Sequence, residues 1–272
     1  MAVLGSGSGG NASVIDALGS RILVDAGLSA RQICQRLASL EIDPHSLDGI
    51  VLSHEHSDHT RGLEVFLRKH EIPVYATALT REVLSDRCGG HIEWRIFQRG
   101  QEFSIGAVTV NAFAVPHDAV DPVGFVCCSE RGERIGVVTD LGHVTSLVRE
   151  SLRGVDGLFV EANYDQGLLE SDTKRPWSIK QRISSRHGHL SNEQTAELIR
   201  ALTEDGLKAV VLGHLSGDCN TPEVAAQAVN AVHSGKVTVE VSGQAEPSAW
   251  MSVAKPLPVP VGAGGGEQGL LF

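Results

Sequence analysis

Cysteine is scarce in this 272-residue chain, and the five present (Cys34, Cys88, Cys127, Cys128 and Cys219) never fall at C-x-x-C spacing. An odd, scattered set excludes a disulfide framework and a zinc knuckle, and reads as small core residues in a reducing compartment. Long apolar runs are missing too: nothing approaches the roughly 18 uninterrupted residues of a spanning helix. The opening residues, Met1 to Asn11, lack a basic stretch followed by an apolar one, so no secretory leader is expected. Together these absences predict a soluble, cytoplasmic protein with no membrane partner. Positive charge is in deficit, with 23 Lys and Arg against 33 Asp and Glu and a formal net charge of −10. Aromatic residues amount to 4%, little material for serial base stacking. Composition alone argues against a protein that coats nucleic acid or an anionic membrane through bulk charge.

What the chain does contain is short β-branched runs alternating with helical patterns. The pattern predicts a strand at Arg21–Val24, a helix over Ser29–Leu40 capped by Ser29, a strand at Gly49–Ser53, a helix near Arg61–Lys69 and a strand at Pro73–Ala76. Antiparallel strands are expected at Glu102–Val115, Val123–Ser129 and Arg134–Thr139, joined by tight turns such as Glu130–Glu133. A second strand-and-helix series comes next: Leu158–Glu161, a helix over Ser191–Leu202, Ala209–Gly213, a helix over Pro222–Val232 capped by Thr221, and Val237–Val241. Two similar halves around an antiparallel block suggest two sheets packed face to face with helices outside, rather than a dinucleotide-binding fold. Residues 1–244 form one domain in this reading. Residues 245–267, rich in Pro and Gly, read as a tether without a core of its own.

The densest chemistry is His54-Glu55-His56-Ser57-Asp58-His59, directly after the apolar strand ending at Ser53. Imidazoles and carboxylates at a strand-to-helix turn are what a borderline divalent ion such as zinc prefers. A solvated polar loop is the competing reading, and four such residues within six positions count against it. His54 and His56 can point into one site, while Asp58 and His59 turn toward a neighbouring one. Four ligands do not close two sites, and three further candidates lie where other apolar strands stop: His117, Asp140 and His214. A buried structural histidine or a capping aspartate is the alternative for each. His189 precedes a helix whose cap is Ser191, with Gln194 completing a capping box. Capping explains the serine and not the histidine. His187 and His143 read as surface histidines.

These residues resemble the metallo-β-lactamase fold hydrolases, whose five-part signature is matched by Asp25, the H-x-H-x-D-H run, His117, Asp140 and His214. The resemblance covers about residues 1–240 and implies an α/β (α+β) chain folded as a four-layer αβ/βα sandwich with a two-metal site between its sheets. It implies that His54, His56 and His117 hold one ion, that Asp58, His59 and His214 hold the other, and that Asp140 bridges them. Asp25 would position the histidine loop, and Asp58 would double as a catalytic residue. Zinc and manganese both suit this donor set. A bridging carboxylate, where a cysteine would suggest a β-lactamase, suits two ions roughly 3.5–4 Å apart for in-line phosphodiester cleavage. His189 is similar to the histidine-plus-helix element of nucleases of this fold, including the transfer-RNA 3′-processing enzymes. That implies a proton donor or a phosphate ligand.

The stretches Gly5–Asn11, Val137–Thr145, Glu161–Asp165, Gly188–Glu193, Leu212–Ser216 and Asn220–Glu223 are similar to a narrower group, the WalJ-type (YycJ-like) bacterial DNA exonucleases. This resemblance implies a DNA exonuclease of 5′-to-3′ polarity acting in DNA repair, such as mismatch repair. Expected substrate contacts are Ser8 and Asn11 of the glycine-rich start, Asn163, and Lys180, Arg182 and Arg186. The glycine-rich loop offers backbone N–H groups to a phosphate or forms a tight turn between two strands. The three cations belong to a strip, Lys174, Arg175, Lys180, Arg182 and Arg186, that contains no acidic residue and suits a phosphate backbone.

Residues 268–272 are similar to the Q-x-x-L-F peptides by which bacterial DNA enzymes dock on the replication sliding clamp, with Gln268, Leu271 and Phe272 as contacts. An incidental apolar end is the other reading. Competing functions are a small-molecule hydrolase of the same fold (a cyclic phosphodiesterase or thioesterase), an RNA nuclease, and a non-catalytic metal-sensing or clamp-bound scaffold.

Overall fold

The computed structural model describes residues 1–88 and 92–253. Its first sheet begins as an antiparallel meander of β1 (Ala2–Gly5), β2 (Ala12–Ala17) and β3 (Ser20–Val24). Leu18 and Gly19 turn β2 into β3 with φ of 56° and 87°, the positive values that a two-residue hairpin requires. Helix α1 (Ala30–Ser39) then leads into parallel strands β4 (Gly49–Val51), β5 (Val74–Ala76) and β6 (Trp94–Ile96). Helices α2 (Ser57–Thr60), α3 (Leu63–Leu67) and α4 (Ala78–Arg87) lie between them.

The second sheet has seven strands. Strands β7 (Glu102–Ile105), β8 (Val108–Ala114), β9 (Val123–Ser129) and β10 (Arg134–Val138) run antiparallel. Helix α5 (Ser146–Leu152) connects to β11 (Gly157–Glu161), which pairs parallel with β10. Helices α6 (Gln166–Ser171), α7 (Trp177–Ile183) and α8 (Asn192–Glu204) precede β12 (Ala209–Gly213), and α9 (Pro222–Asn230) precedes β13 (Thr238–Val241). Both of these strands extend the parallel side.

The central strands β4, β10, β11 and β12 are covered on both faces and are largely apolar, whereas the edge strands β6, β7 and β13 carry exposed polar residues; successive side chains enter different layers. Leu23 and Ile50 pack beneath the helices of the first half, while Ile22, Val24 and Val51 pack between the sheets. Val210 and Leu212 join Val148, Leu198 and Val229 under the second set of helices, while Val211 meets Phe125, Val137 and Phe159 between the sheets. The layers therefore run helix, sheet, sheet, helix, the αβ/βα sandwich expected. Capping boxes at Ser29 with Gln32 and at Ser191 with Gln194 start α1 and α8. Among the described residues no helix is long and apolar enough to cross a membrane.

The structure corrects several boundaries. Glu102–Val115 is two strands: Gly106, at φ 56°, turns Ile105 back against Val108, and a Cβ there would lie 2.1 Å from Ser20 Oγ. The helix placed at Arg61–Lys69 is only Leu63–Leu67. Strands β1 and β2 flank the glycine-rich start, which is thus a turn between two strands.

The proposed tether is displaced as well. Residues 245–253 run along β1: Ser248 N donates to Val3 O and Met251 N to Met1 O, both at 2.8 Å. Met251 and Val253 are buried between the sheets, and Met251 lies so close to Gly157 that a Cβ there would meet its Cε at 2.8 Å. Residues 254–267 and the peptide Gln268–Phe272 lie outside the described residues. We expect Met251→Ala to lower unfolding stability by about 2–4 kcal/mol in urea denaturation. An unchanged midpoint would return residues 245–253 to the status of a free tether.

Candidate metal centre

In parallel strands the C-terminal ends share one rim, so residues leaving β3, β4, β10, β11 and β12 face the same cleft. Three of them, Asp25, Asp140 and His214, hold φ of 61°, 54° and 52°. Positive φ is uncommon outside glycine and costs about 1–3 kcal/mol. Half of the six non-glycine residues with positive φ among the described residues thus stand where polar side chains turn inward.

The histidine loop after β4 is held from below by Asp25. Its Oδ1 accepts from Ser53 N and its Oδ2 from Ser53 Oγ, each at 2.8 Å, and Oδ2 lies 2.8 Å from His59 Nδ1. Asn11 holds the loop from the side: its backbone N donates to Asp58 O at 2.7 Å, and its Nδ2 lies 3.1 Å from His59 Nε2. Gly27 cannot be replaced, because a Cβ there would stand 1.6 Å from Asp58 O. From the second sheet, Val123 N donates to Ser53 O at 3.0 Å and ties the loop across the sandwich.

His54, His56 and His117 converge, as do His54, His59 and Asp140. His117 Nδ1 donates to Gly188 O at 3.2 Å, which leaves Nε2 facing His56 Nδ1 at 3.4 Å and Asp140 Oδ1 at 3.8 Å. Asp140 Oδ2 lies 2.8 Å from His59 Nε2, and Asp140 Oδ1 lies 3.1 Å from His214 Nδ1. Asp58 Oδ2 closes this side, 3.7 Å from His59 Nε2 and 3.8 Å from His214 Nε2. The seven sequence-predicted ligands are thus brought together around Asp140, where Asp140 and His214 also converge with Glu161 and His189. Three of their atoms, His54 Nε2, Asp140 Oδ2 and His214 Nδ1, are buried without a hydrogen-bond partner. Buried polar atoms left without partners inside a set of nitrogen and oxygen donors fit bound cations.

The electrostatics agree with that fit. Burial, together with neighbouring imidazoles, pushes His54 well below the ordinary histidine range, which keeps it a neutral lone-pair donor. Burial works against charge on His59, but Asp140 and Asp25 outweigh it and hold this imidazole well above that range. Burial also opposes charge on Asp140, yet His214 and His59 keep its carboxyl well below the carboxylate range. The carboxylates demand positive charge among these rings.

Sequence reasoning gave Glu161 no role, although it ends an apolar strand as Asp140 and His214 do. It is fully buried; its Oε1 accepts from Leu141 N and Leu190 N, and its Oε2 lies 2.9 Å from His189 Nδ1. Burial would lower His189, but the Glu161 carboxylate overcomes this and raises it to about 9. His189 lines a cavity of about 230 Å³ with His56, Asp58, His117, Asp140 and His214. A larger cavity of about 440 Å³ lies at the opposite end of the sheets and contains none of these residues.

The expected substrate contacts divide. Ser8 and Arg182 line the site cavity. Asn11 is buried against the histidine loop, and Asn163 is buried with its Nδ2 donating to His214 O at 2.7 Å, so both hold ligands in place rather than face substrate. Lys180 is buried and donates to Glu170 O at 2.9 Å. Arg182 pairs with Asp118, Lys174 with Asp218, and Arg175 with Asp172 and Asp218. The basic strip is therefore largely cancelled by carboxylates that its local composition did not reveal.

Residues 20–215 match the family model described as Beta-lactamase superfamily domain. The chain is 36% identical over 227 residues to exodeoxyribonuclease WalJ of Streptococcus pneumoniae, covering 82% of this chain and 84% of that protein. It is 34% identical over 232 residues to exodeoxyribonuclease YycJ of Bacillus anthracis, covering 85% and 87% respectively. Among solved structures, Zn(2+)-bound PqqB from Methylobacterium extorquens superposes with a TM-score of 0.69 over 92% of this chain and 99% of that chain. At 18% identity this is a likeness of fold.

Removing Asp25 leaves Ser53 N and His59 Nδ1 without their acceptor. We expect Asp25→Ala to weaken metal binding by roughly 10–100-fold, read by chelator competition on the folded protein. Unaltered affinity would show that the loop does not depend on this carboxylate.

Proposed function

The chain belongs to the beta-lactamase superfamily, and on that premise we propose that it is a dinuclear metal-dependent phosphodiesterase that shortens DNA from an end. The observation that carries this reading is that His54 Nε2, Asp140 Oδ2 and His214 Nδ1 are buried without hydrogen-bond partners inside a full set of nitrogen and oxygen donors. In this reading His54, His56 and His117 hold one ion, Asp58, His59 and His214 the other, with Asp140 between. Bound zinc or manganese ions would activate water at neutral pH and offset charge on the non-bridging phosphate oxygens.

The remaining steps fall to side chains. Asp58, the most exposed of the acidic donors at 22%, faces the cavity and orients the attacking water by accepting its proton. His189 spends Nδ1 on Glu161, which leaves Nε2 for the substrate. Glu161 keeps this imidazole protonated, so it can give a proton to the leaving oxygen. The exodeoxyribonuclease relatives support DNA as substrate, and the acidic body confines it to the site face. The proposal extends to 5′-to-3′ polarity, a role in mismatch repair in the cytoplasm, and the sliding clamp as partner through Gln268, Leu271 and Phe272.

The test is digestion of end-labelled duplex and single-stranded DNA with added zinc or manganese. We expect progressive shortening by the wild type and none by Asp58→Ala or His117→Ala. Glu161→Gln should lower kcat by about 10²-fold or more, with KM for DNA changed much less. Intact DNA alongside turnover of a chromogenic diester or a thioester would instead identify a small-molecule hydrolase.

A further inference from the structure

Of the five cations in the Lys174–Arg186 strip, Arg186 is held differently. Its Nη2 donates to His143 Nε2 at 3.0 Å, and His143 Nδ1 donates to the Arg186 carbonyl at 2.9 Å. A carbonyl only accepts, so the ring proton sits on Nδ1 and the neutral Nε2 receives the guanidinium. Among the described residues no carboxylate pairs with Arg186. One imidazole thus grips both the backbone and the side chain of this arginine without cancelling its charge. The grip is reinforced by backbone packing: a Cβ on Gly142 would lie 2.3 Å from Arg186 O and 2.7 Å from His187 Cα.

The placement is as informative as the charge. His143 stands three residues after Asp140, and Arg186 three residues before His189, so the latch joins the two loops that carry these site residues. Gly188 O, which lies between Arg186 and His189, accepts from His117 Nδ1 at 3.2 Å. Three residues of chain span at most about 10 Å, so one DNA strand can touch His189 and Arg186 together. Arg186 is an exposed residue, and only one of its five N–H donors is used by His143. A planar fork held in place suits the paired oxygens of a phosphate.

We propose that Arg186, oriented by His143, is a phosphate-binding site for the DNA strand, taking a phosphate beside the scissile one. The inference rests on the DNA reading above and makes His143 a positioning residue. It also explains how an acidic protein holds an anionic strand: Arg182 is offset by Asp118, whereas the charge of Arg186 is left to the substrate.

The experiment measures KM for a defined oligonucleotide across a salt series with the metal-loaded enzyme. Arg186→Ala should raise KM roughly tenfold and flatten the salt dependence by about one unit of slope. The loss should be smaller on bis(p-nitrophenyl) phosphate, which has no second phosphate. Arg186→Gln reads the same loss of charge if the alanine variant misfolds. His143→Ala should raise KM severalfold at unchanged salt slope, because the charge remains, and His143→Gln should restore much of it by offering an amide oxygen to Arg186. KM and slope equal to wild type in both Arg186 variants would overturn the proposal while leaving the nuclease reading intact. A wild-type enzyme that turns over the diester and leaves DNA whole would overturn both.

Discussion

A buried carboxylate oxygen that no hydrogen bond claims is the constraint on which this structure turns. Asp140 Oδ2 lies 2.8 Å from His59 Nε2 in ion-pair contact without an aligned hydrogen bond, and His54 Nε2 and His214 Nδ1 are likewise buried without a hydrogen-bond partner. Leaving one such group unsatisfied costs about 1–3 kcal/mol. Bound cations on either side of Asp140 would satisfy such groups, converting a folding liability into binding energy.

The sandwich exists to hold that arrangement still. Parallel strands bring five chain exits to one rim, and the antiparallel block carries His117 to the same place. Positive φ at Asp25, Asp140 and His214 turns their side chains into the cleft. The apolar layers on both sides of each sheet offset this strain. Small residues complete the fit where backbones meet: Gly27 against Asp58, and Gly142 against Arg186. Asp25 sets the His59 ring through Nδ1, which leaves Nε2 toward the ion site, and Asn11 holds the same loop through Asp58 O.

Much of this was legible in the sequence, for reasons that differ by residue. The strands at Ala209–Gly213 and Gly49–Val51 are continuous apolar runs, and ligands placed directly after such runs are conspicuous. Glu161 ends a similar run but stands alone among apolar and amide neighbours, so only the contact with His189 from a distant loop reveals it. The basic strip misled because composition counts charges along the chain, whereas Asp118 and Asp218 neutralise them from other segments. Residues 245–253 looked like a tether because prolines and glycines dominate the adjoining sequence from Pro256 to Gly266. Their fate was decided by two apolar side chains, Met251 and Val253, that fit a gap between the sheets.

Electrostatics gives the same centre its reach over substrate. A net charge of −10 disfavours an anionic strand on the body as a whole, and in the proposed reading bound cations and Arg186 would offset it at the site face. The central claim is that two ions sit on either side of Asp140. The direct measurement is an anomalous difference map from crystals grown with manganese. The account predicts two peaks roughly 3.5–4 Å apart, one against His54, His56 and His117 and the other against Asp58, His59 and His214. A single peak, or one displaced into the pocket formed by Glu161 and His189, would contradict it.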